Sequence, residues 1–340
     1  MTARRTFAVA ALLVSGIGMP AFADTPPSRW DRARDPTASD AWELHTRVRE
    51  FMAPLPDEVL GLRELRLQQA RTELESANAA ESADVRLRFD LGQVYEELSH
   101  NQQAIDVLQP ALAMAPDHPA AADAWLELAF AYARMDRSRE ERDAYDAYLV
   151  RAPYESGRAT ALLNRAEAEM RLGNLEDAVL GYRDAIDACD SASMLDDLFK
   201  TGVLARWGLA VALDRSGDAT GAVREALVAS QLDPREGIID SQEMCGTSLC
   251  VFFVPDYERD WYLGLGRAEH AKQELDPRKA ALLWKRTEEK WADYILRADP
   301  KDRWVPLAKA HLSATQKRRA VADKRAGVRR PASGNERLIE

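Results

Sequence analysis

Cysteine and histidine are scarce in this chain. Among 340 residues there are three cysteines and five histidines. The histidines, His45, His100, His118, His270 and His311, are scattered, with no pair at metal-ligand spacing. Zinc usually wants four ligands, and no such frame is present. There is no glycine-rich phosphate loop and no Gly-x-Ser-x-Gly elbow. No acid, base and nucleophile fall into a recognisable constellation. The chain is therefore not expected to be an enzyme, and no cofactor or metal is expected. Hairpin signals for strands are missing as well. After residue 17 no apolar run is long enough to span a membrane. Positive charge is in deficit: 46 Lys and Arg face 56 Asp and Glu, a net −10. That balance argues against nucleic acid, which needs a basic face to neutralise phosphates.

What the N-terminus does contain is an export pattern. Arg4 and Arg5 precede an apolar stretch over residues 7–17, too short for a stable anchor. It ends at Ala21-Phe22-Ala23, a small-x-small cleavage pattern. Cleavage after Ala23 leaves Asp24 as the mature start, without a cysteine for a lipid anchor. A signal peptide over 1–23 places the protein in the periplasm or outside the cell. Losing its two arginines takes the mature charge from −10 to −12. Residues 24–38 lack apolar periodicity and read as a flexible leader.

From there nearly every segment reads as helix, broken by short turns, and the helices repeat. One unit has Leu91-Gly92-x-x-Tyr95, then Ala104, Leu108, Ala111 and Pro116. The next has Trp125-x-x-Leu128-Ala129-x-x-Tyr132, then Tyr145, Tyr148 and Pro153. A third has Ala166, Gly173, Ala178, Tyr182 and Ala185. A fourth has Leu209-Ala210, Gly217, Ala222, Ala226, Ala229 and Pro234. Small residues let two helices approach, Gly173 and Gly217 suit left-handed caps, and the prolines end the second helix of a pair. Over 85–234 the pattern resembles the tetratricopeptide repeat (TPR), whose period is about 34 residues. Leu91 and Leu128 are 37 apart, so the turn is slightly long. Glu141 stands where the family has Ala, and Arg165 where it has Leu, so those units are expected to bend or pack loosely.

The resemblance implies an all-α, right-handed superhelical solenoid of antiparallel helix pairs. One unit cannot bury its apolar stripe alone, so stacking is obligatory. Residues 39–84 read as a degenerate N-terminal pair. Residues 258–325 read as a long C-terminal pair with a capping helix, and 326–340 as a disordered tail. Arrays resembling this one bind partners in a concave groove lined by the first helix of each pair. Carried over by motif position, the groove holds Arg86, Phe89, Gln93 and Glu97, then Leu126, Phe130 and Arg134. Leu163, Glu167 and Arg171 follow, and then Trp207, Val211 and Arg215. Arg134, Arg171 and Arg215 share one position in successive units. Such a row suits an acidic or carboxylate-bearing peptide. It equally suits the negative ends of the helices.

Residues 235–257 form the one long non-repeat segment of the body and contain Cys245 and Cys250. In an exported protein this close pair suits a disulfide, with free thiols or a redox or metal pair as other readings. Cys189 is expected as a buried small hydrophobe. A basic cluster, Lys317-Arg318-Arg319 with Lys324, Arg325, Arg329 and Arg330, suits either a solvated helix end or contact with anionic lipid or an acidic partner. The function expected is a non-catalytic exported scaffold or adaptor holding a protein or peptide. The alternatives are a structural subunit of an envelope assembly acting through its convex face, and an enzyme using the 235–257 loop with Asp240, Glu243 or Cys245.

Overall fold

The computed structural model describes residues 28–29, 36–55, 59–151, 157–190, 196–234, 237–240, 252–253 and 255–328. The signal segment, most of the leader, residues 329–340, Cys245, Cys250 and Glu243 lie outside them.

Helices pair in chain order. α1 (Pro36–Met52) with α2 (Leu60–Ser76) opens the series. α3 (Val85–Glu97) with α4 (Asn101–Met114) and α5 (Ala121–Arg134) with α6 (Ser138–Arg151) continue it. α7 (Arg158–Leu172) with α8 (Leu175–Asp190) and α9 (Asp196–Ser216) with α10 (Ala219–Leu232) complete the repeats. After the short α11 (Gly237–Asp240), α12 (Glu258–Gln273) pairs with α13 (Pro277–Arg297), and α14 (Val305–Ala326) packs on α13. No strand occurs among the described residues. The fold is an all-α solenoid of antiparallel helix pairs, as the repeat resemblance implies.

The repeat positions form the core. Leu91, Leu128 and Leu209 are buried, and so are Gly92, Ala129, Ala166 and Ala210 beside them. Gly92 shows why that position is small: a Cβ there would lie 2.3 Å from Leu108 of α4. The first helices of the pairs also stack directly, α1 on α3, α3 on α5, α7 on α9 and α9 on α12.

Four of these first helices end in the same way. Ser99, Asp136, Gly173 and Gly217 take positive φ of 61, 55, 86 and 90°. At each, two backbone N–H groups fold back on the last turn: Ser99 on Glu96 and His100 on Tyr95, through to Gly217 on Asp214 and Asp218 on Leu213. This is the Schellman cap, which satisfies carbonyls the helix leaves open. Only two of the four carry the glycine that sequence reading relies on.

The departures from the repeat pattern do not loosen the units. Glu141 is fully buried and ion-paired with Arg171. Arg165 pairs with Asp146 at 2.5 Å. The 235–257 segment is more than a surface insertion. Ile239 and Phe252 are buried in the core, with the Phe252 ring 5.6 Å from that of Tyr262 on α12. Cys189 is half-buried on α8, facing Gly202 of α9.

Candidate functional site

A cleft lies open on the shared face of the first three stacked helices, α1, α3 and α5. α1 contributes His45 and Arg49, one turn apart. α3 contributes Arg86, Phe89, Asp90 and Gln93, at the three- and four-residue steps of one helix face. α5 contributes Asp123, Ala124 and Glu127, and the turn before it His118 and Pro119. Together they enclose about 240 Å³. Among the expected groove residues, Arg86, Phe89 and Gln93 lie here.

Most polar groups in the cleft are already held. His45 Nδ1 lies 2.5 Å from Asp90 Oδ2. Burial pushes the Asp90 carboxyl up, with His45 and Arg49 opposing it. Arg49 donates to Gln93 at 2.8 Å and lies 3.9 Å from Asp90. Arg86 is ion-paired with Asp84 at 2.5 Å, and its guanidinium lies 4.9 Å from the centre of the Trp42 ring. Phe89 and His118 form a tilted ring pair, 5.5 Å apart. Glu127 differs: it makes no hydrogen bond or ion pair among the described residues. Desolvation raises its carboxyl to about 8, the charges of Glu97 and Asp123 adding to the effect and Arg49 opposing it. The cleft thus combines a ring wall, tethered arginines and a carboxyl with nothing to pair with.

The remaining expected groove residues lie elsewhere. Phe130 is a core residue, edge-on to Tyr145 at 6.3 Å. Trp207 is 1% exposed and packs where Gly266 of α12 leaves room. Arg134 is ion-paired with Glu96 and also donates to the Glu96 carbonyl at 3.3 Å. Arg171 is bound to Glu141 and donates to Ser138 Oγ at 3.1 Å. Arg215 donates to Glu258 at 2.6 Å, with the rings of Trp261 and Trp304 at 4.4 and 5.0 Å. The side chains of Arg171 and Arg215 are 7% and 1% exposed. The arginine row therefore consists of internal ion pairs and presents no free guanidinium row to a ligand.

The cause is the C-terminal unit. Tyr262 of α12 donates to Glu167 of α7 at 2.9 Å, across the face that would otherwise be groove. Tyr182 of α8 donates to the same oxygen. Between α13 and α14, Arg303 donates to the Leu172 carbonyl at 3.1 Å. Among the described residues, the groove face of α7 and α9 is covered from within, while the cleft between α1, α3 and α5 is open.

Sequence reasoning missed His45, Arg49, Asp90, His118, Asp123 and Glu127. On α5 the stripe runs 123, 127, 130 and 134; choosing Leu126 in place of Glu127 hid its outer half. The α1 residues were missed because that pair carries no legible repeat motif.

No family model matches the sequence, and none of the curated proteins matches it. Similar solved structures include MamA AMB-1, 16% identical with a TM-score of 0.44, over 56% of this chain and 96% of that one. A tetratricopeptide repeat protein from Parabacteroides merdae ATCC 43184 is 18% identical with a TM-score of 0.45, over 81% and 98%. Similarity at this level says nothing of function, and the helix-pair fold rests on its own packing.

Proposed function

We propose that the chain is a non-catalytic scaffold, exported by its N-terminal segment, that holds part of another protein in the cleft between α1, α3 and α5. Glu127 carries the reading: it is a carboxyl without a partner in a cleft of side-chain size, while Arg49 and Arg86 are already tethered. A ligand carboxylate would have to compete with Asp90, Gln93 and Asp84 for those arginines. At Glu127 a lysine or arginine of the ligand meets only the charge of Arg49, which Gln93 and Asp90 already hold, with Phe89 and His118 to pack its methylene stem. The ligand favoured is therefore a basic segment, not the acidic one that an open arginine row would take.

A photo-crosslinking residue at Gln93 in the exported protein, with one at exposed Arg183 as control, identifies what enters the cleft. The expected adducts map to lysine- or arginine-containing segments at position 93 alone. Affinity of a synthetic segment should fall by roughly tenfold or more in Glu127→Ala, the loss of one sheltered charged hydrogen bond. It should also strengthen as pH rises through about 8, because a cation favours the ionised Glu127. Adducts confined to acidic segments, or equal affinity of the variant, would overturn the reading. N-terminal sequencing of the exported protein should begin at Asp24.

A further inference from the structure

The last helix carries charge opposite to that of the chain as a whole. Against a net −10 overall, α14 has Lys309, Lys317, Arg318, Arg319, Lys324 and Arg325 with one acid, Asp323. Arg319 is engaged with Glu288 at 2.9 Å and Asp323 at 3.7 Å. Lys317, Arg318 and Arg325 are exposed. With Lys272, at the end of α12, they line a broad, open depression of about 580 Å³ between α12, α13 and α14. The one acid in that lining, Glu274, accepts from the Asp276 backbone N–H at 2.8 Å.

Apolar groups stand among these bases. Leu275, in the turn between α12 and α13, is 94% exposed, and Val321 is 52% exposed. Val321 lies four residues from Lys317 and four from Arg325, so the three share one helix face. Both Leu275 and Val321 line the depression. Lys272 is ion-paired with Glu269, and Arg318 lies 5.6 Å from the centre of the Trp284 ring, so the bases at the rim belong mainly to α14. Bare aliphatic groups beside such bases are costly to leave in water and have a natural counterpart in a layer that is anionic outside and apolar beneath.

We infer that this end of the molecule docks on an anionic membrane surface. Headgroup phosphates lie among Lys272, Lys317, Arg318 and Arg325, and Leu275 and Val321 enter the boundary between headgroups and acyl chains. The depression is open rather than slot-like, and its most exposed apolar residue lies on a turn, which suits a surface better than a bound helix. No helix among the described residues is long and apolar enough to cross a membrane, so the contact is peripheral. It leaves the cleft in the first units of the stack available.

The test is co-sedimentation of the full chain with phosphatidylcholine vesicles, with and without phosphatidylglycerol. The neutral vesicles also account for binding through the apolar stretch at 7–17. Binding should require phosphatidylglycerol and weaken as salt rises. The combined Lys317→Glu, Arg318→Glu and Arg325→Glu variant should lose roughly tenfold or more, and Leu275→Ser should lose part of the affinity. The Lys317→Glu and Arg325→Glu pair, which leaves Arg318 over the Trp284 ring, should fall in the same direction. Arg139→Glu with Arg183→Glu, elsewhere on the surface, should bind as wild type. Equal binding to both vesicle types, or an equal loss in the distant pair, would overturn the proposal. So would binding to an acidic peptide in place of vesicles, which would assign the bases to a protein partner.

Discussion

Glu141 and Glu167 are two buried carboxyls that share one guanidinium, that of Arg171. Desolvation raises both to about 7, with Arg171 opposing; Tyr182 and Tyr262 also favour the charged form of Glu167, while Glu258 opposes it. In the unfolded chain each releases its proton near the ordinary 4.5. Holding that proton to higher pH stabilises the fold below about 4.5, and the contribution is lost as pH rises through about 7. Stability should thus decline between about pH 4.5 and 7, by on the order of 3 kcal/mol for Glu167 at about 1.4 kcal/mol per pKa unit. Glu167→Gln keeps an acceptor for both tyrosines and removes the titration. Urea unfolding at a series of pH values should show a shallower decline in the variant; the same slope in both proteins would assign the decline to other groups. None of this was legible in the sequence. Glu141 reads as a fault at an alanine position until Arg171, thirty residues on, supplies its charge. A repeat motif records side-chain size at a crossing and says nothing of a polar pair that replaces it.

Elements were legible where periodicity, small residues and caps agreed. The pairs α3–α4 through α9–α10 follow from Leu91, Gly92 and Ala104 and their counterparts. The helix-ending turns were only half legible. Gly173 and Gly217 announce a left-handed residue, whereas Ser99 and Asp136 adopt it without announcing it. The hydrogen bonds of the cap and the packing of the next helix hold these two residues in a conformation that side chains disfavour. Ser99→Gly should relieve that strain, offset by the greater freedom glycine gives the unfolded chain. The net expectation is a gain of up to about 1 kcal/mol, read as a higher denaturation midpoint with an unchanged slope. A lower midpoint would mean that the Ser99 side chain stabilises the turn. Phe252 shows the opposite failure: the pair Phe252-Phe253, in a segment without periodicity, gave no sign that it packs on Tyr262 and completes the core.

At the scale of the whole molecule, the stack closes on itself in its second half. Reading the groove from repeat positions assumes every unit presents its first helix to the same open space. Here α12 lies against α9, and the aromatic rings of Trp261, Tyr262 and Trp304 with the carboxylate of Glu258 meet that face. Contacts between segments so distant in sequence leave no local pattern, so the open length of the groove could not be read in advance. Arg215 is the decisive joint. Its guanidinium lies near both indole rings and is bound to Glu258, whose other carboxylate oxygen accepts from Tyr294 at 3.3 Å. Arg215→Ala would leave Glu258 charged and buried without its cation, a loss of roughly 3–5 kcal/mol for a broken buried pair. The damage should spread unevenly. Amide exchange should accelerate first in α12–α14 and the end of α9, where the joint holds the units together. Exchange in α1–α5 should change little, since those helices belong to a separate hydrophobic cluster and share no partner with Arg215. A segment bound at Glu127 should keep its affinity in this variant while vesicle binding, if it needs an ordered α12–α14, weakens. Uniform acceleration along the whole chain would mean that the two halves unfold as one unit and that the closure at Arg215 supports the open cleft as well.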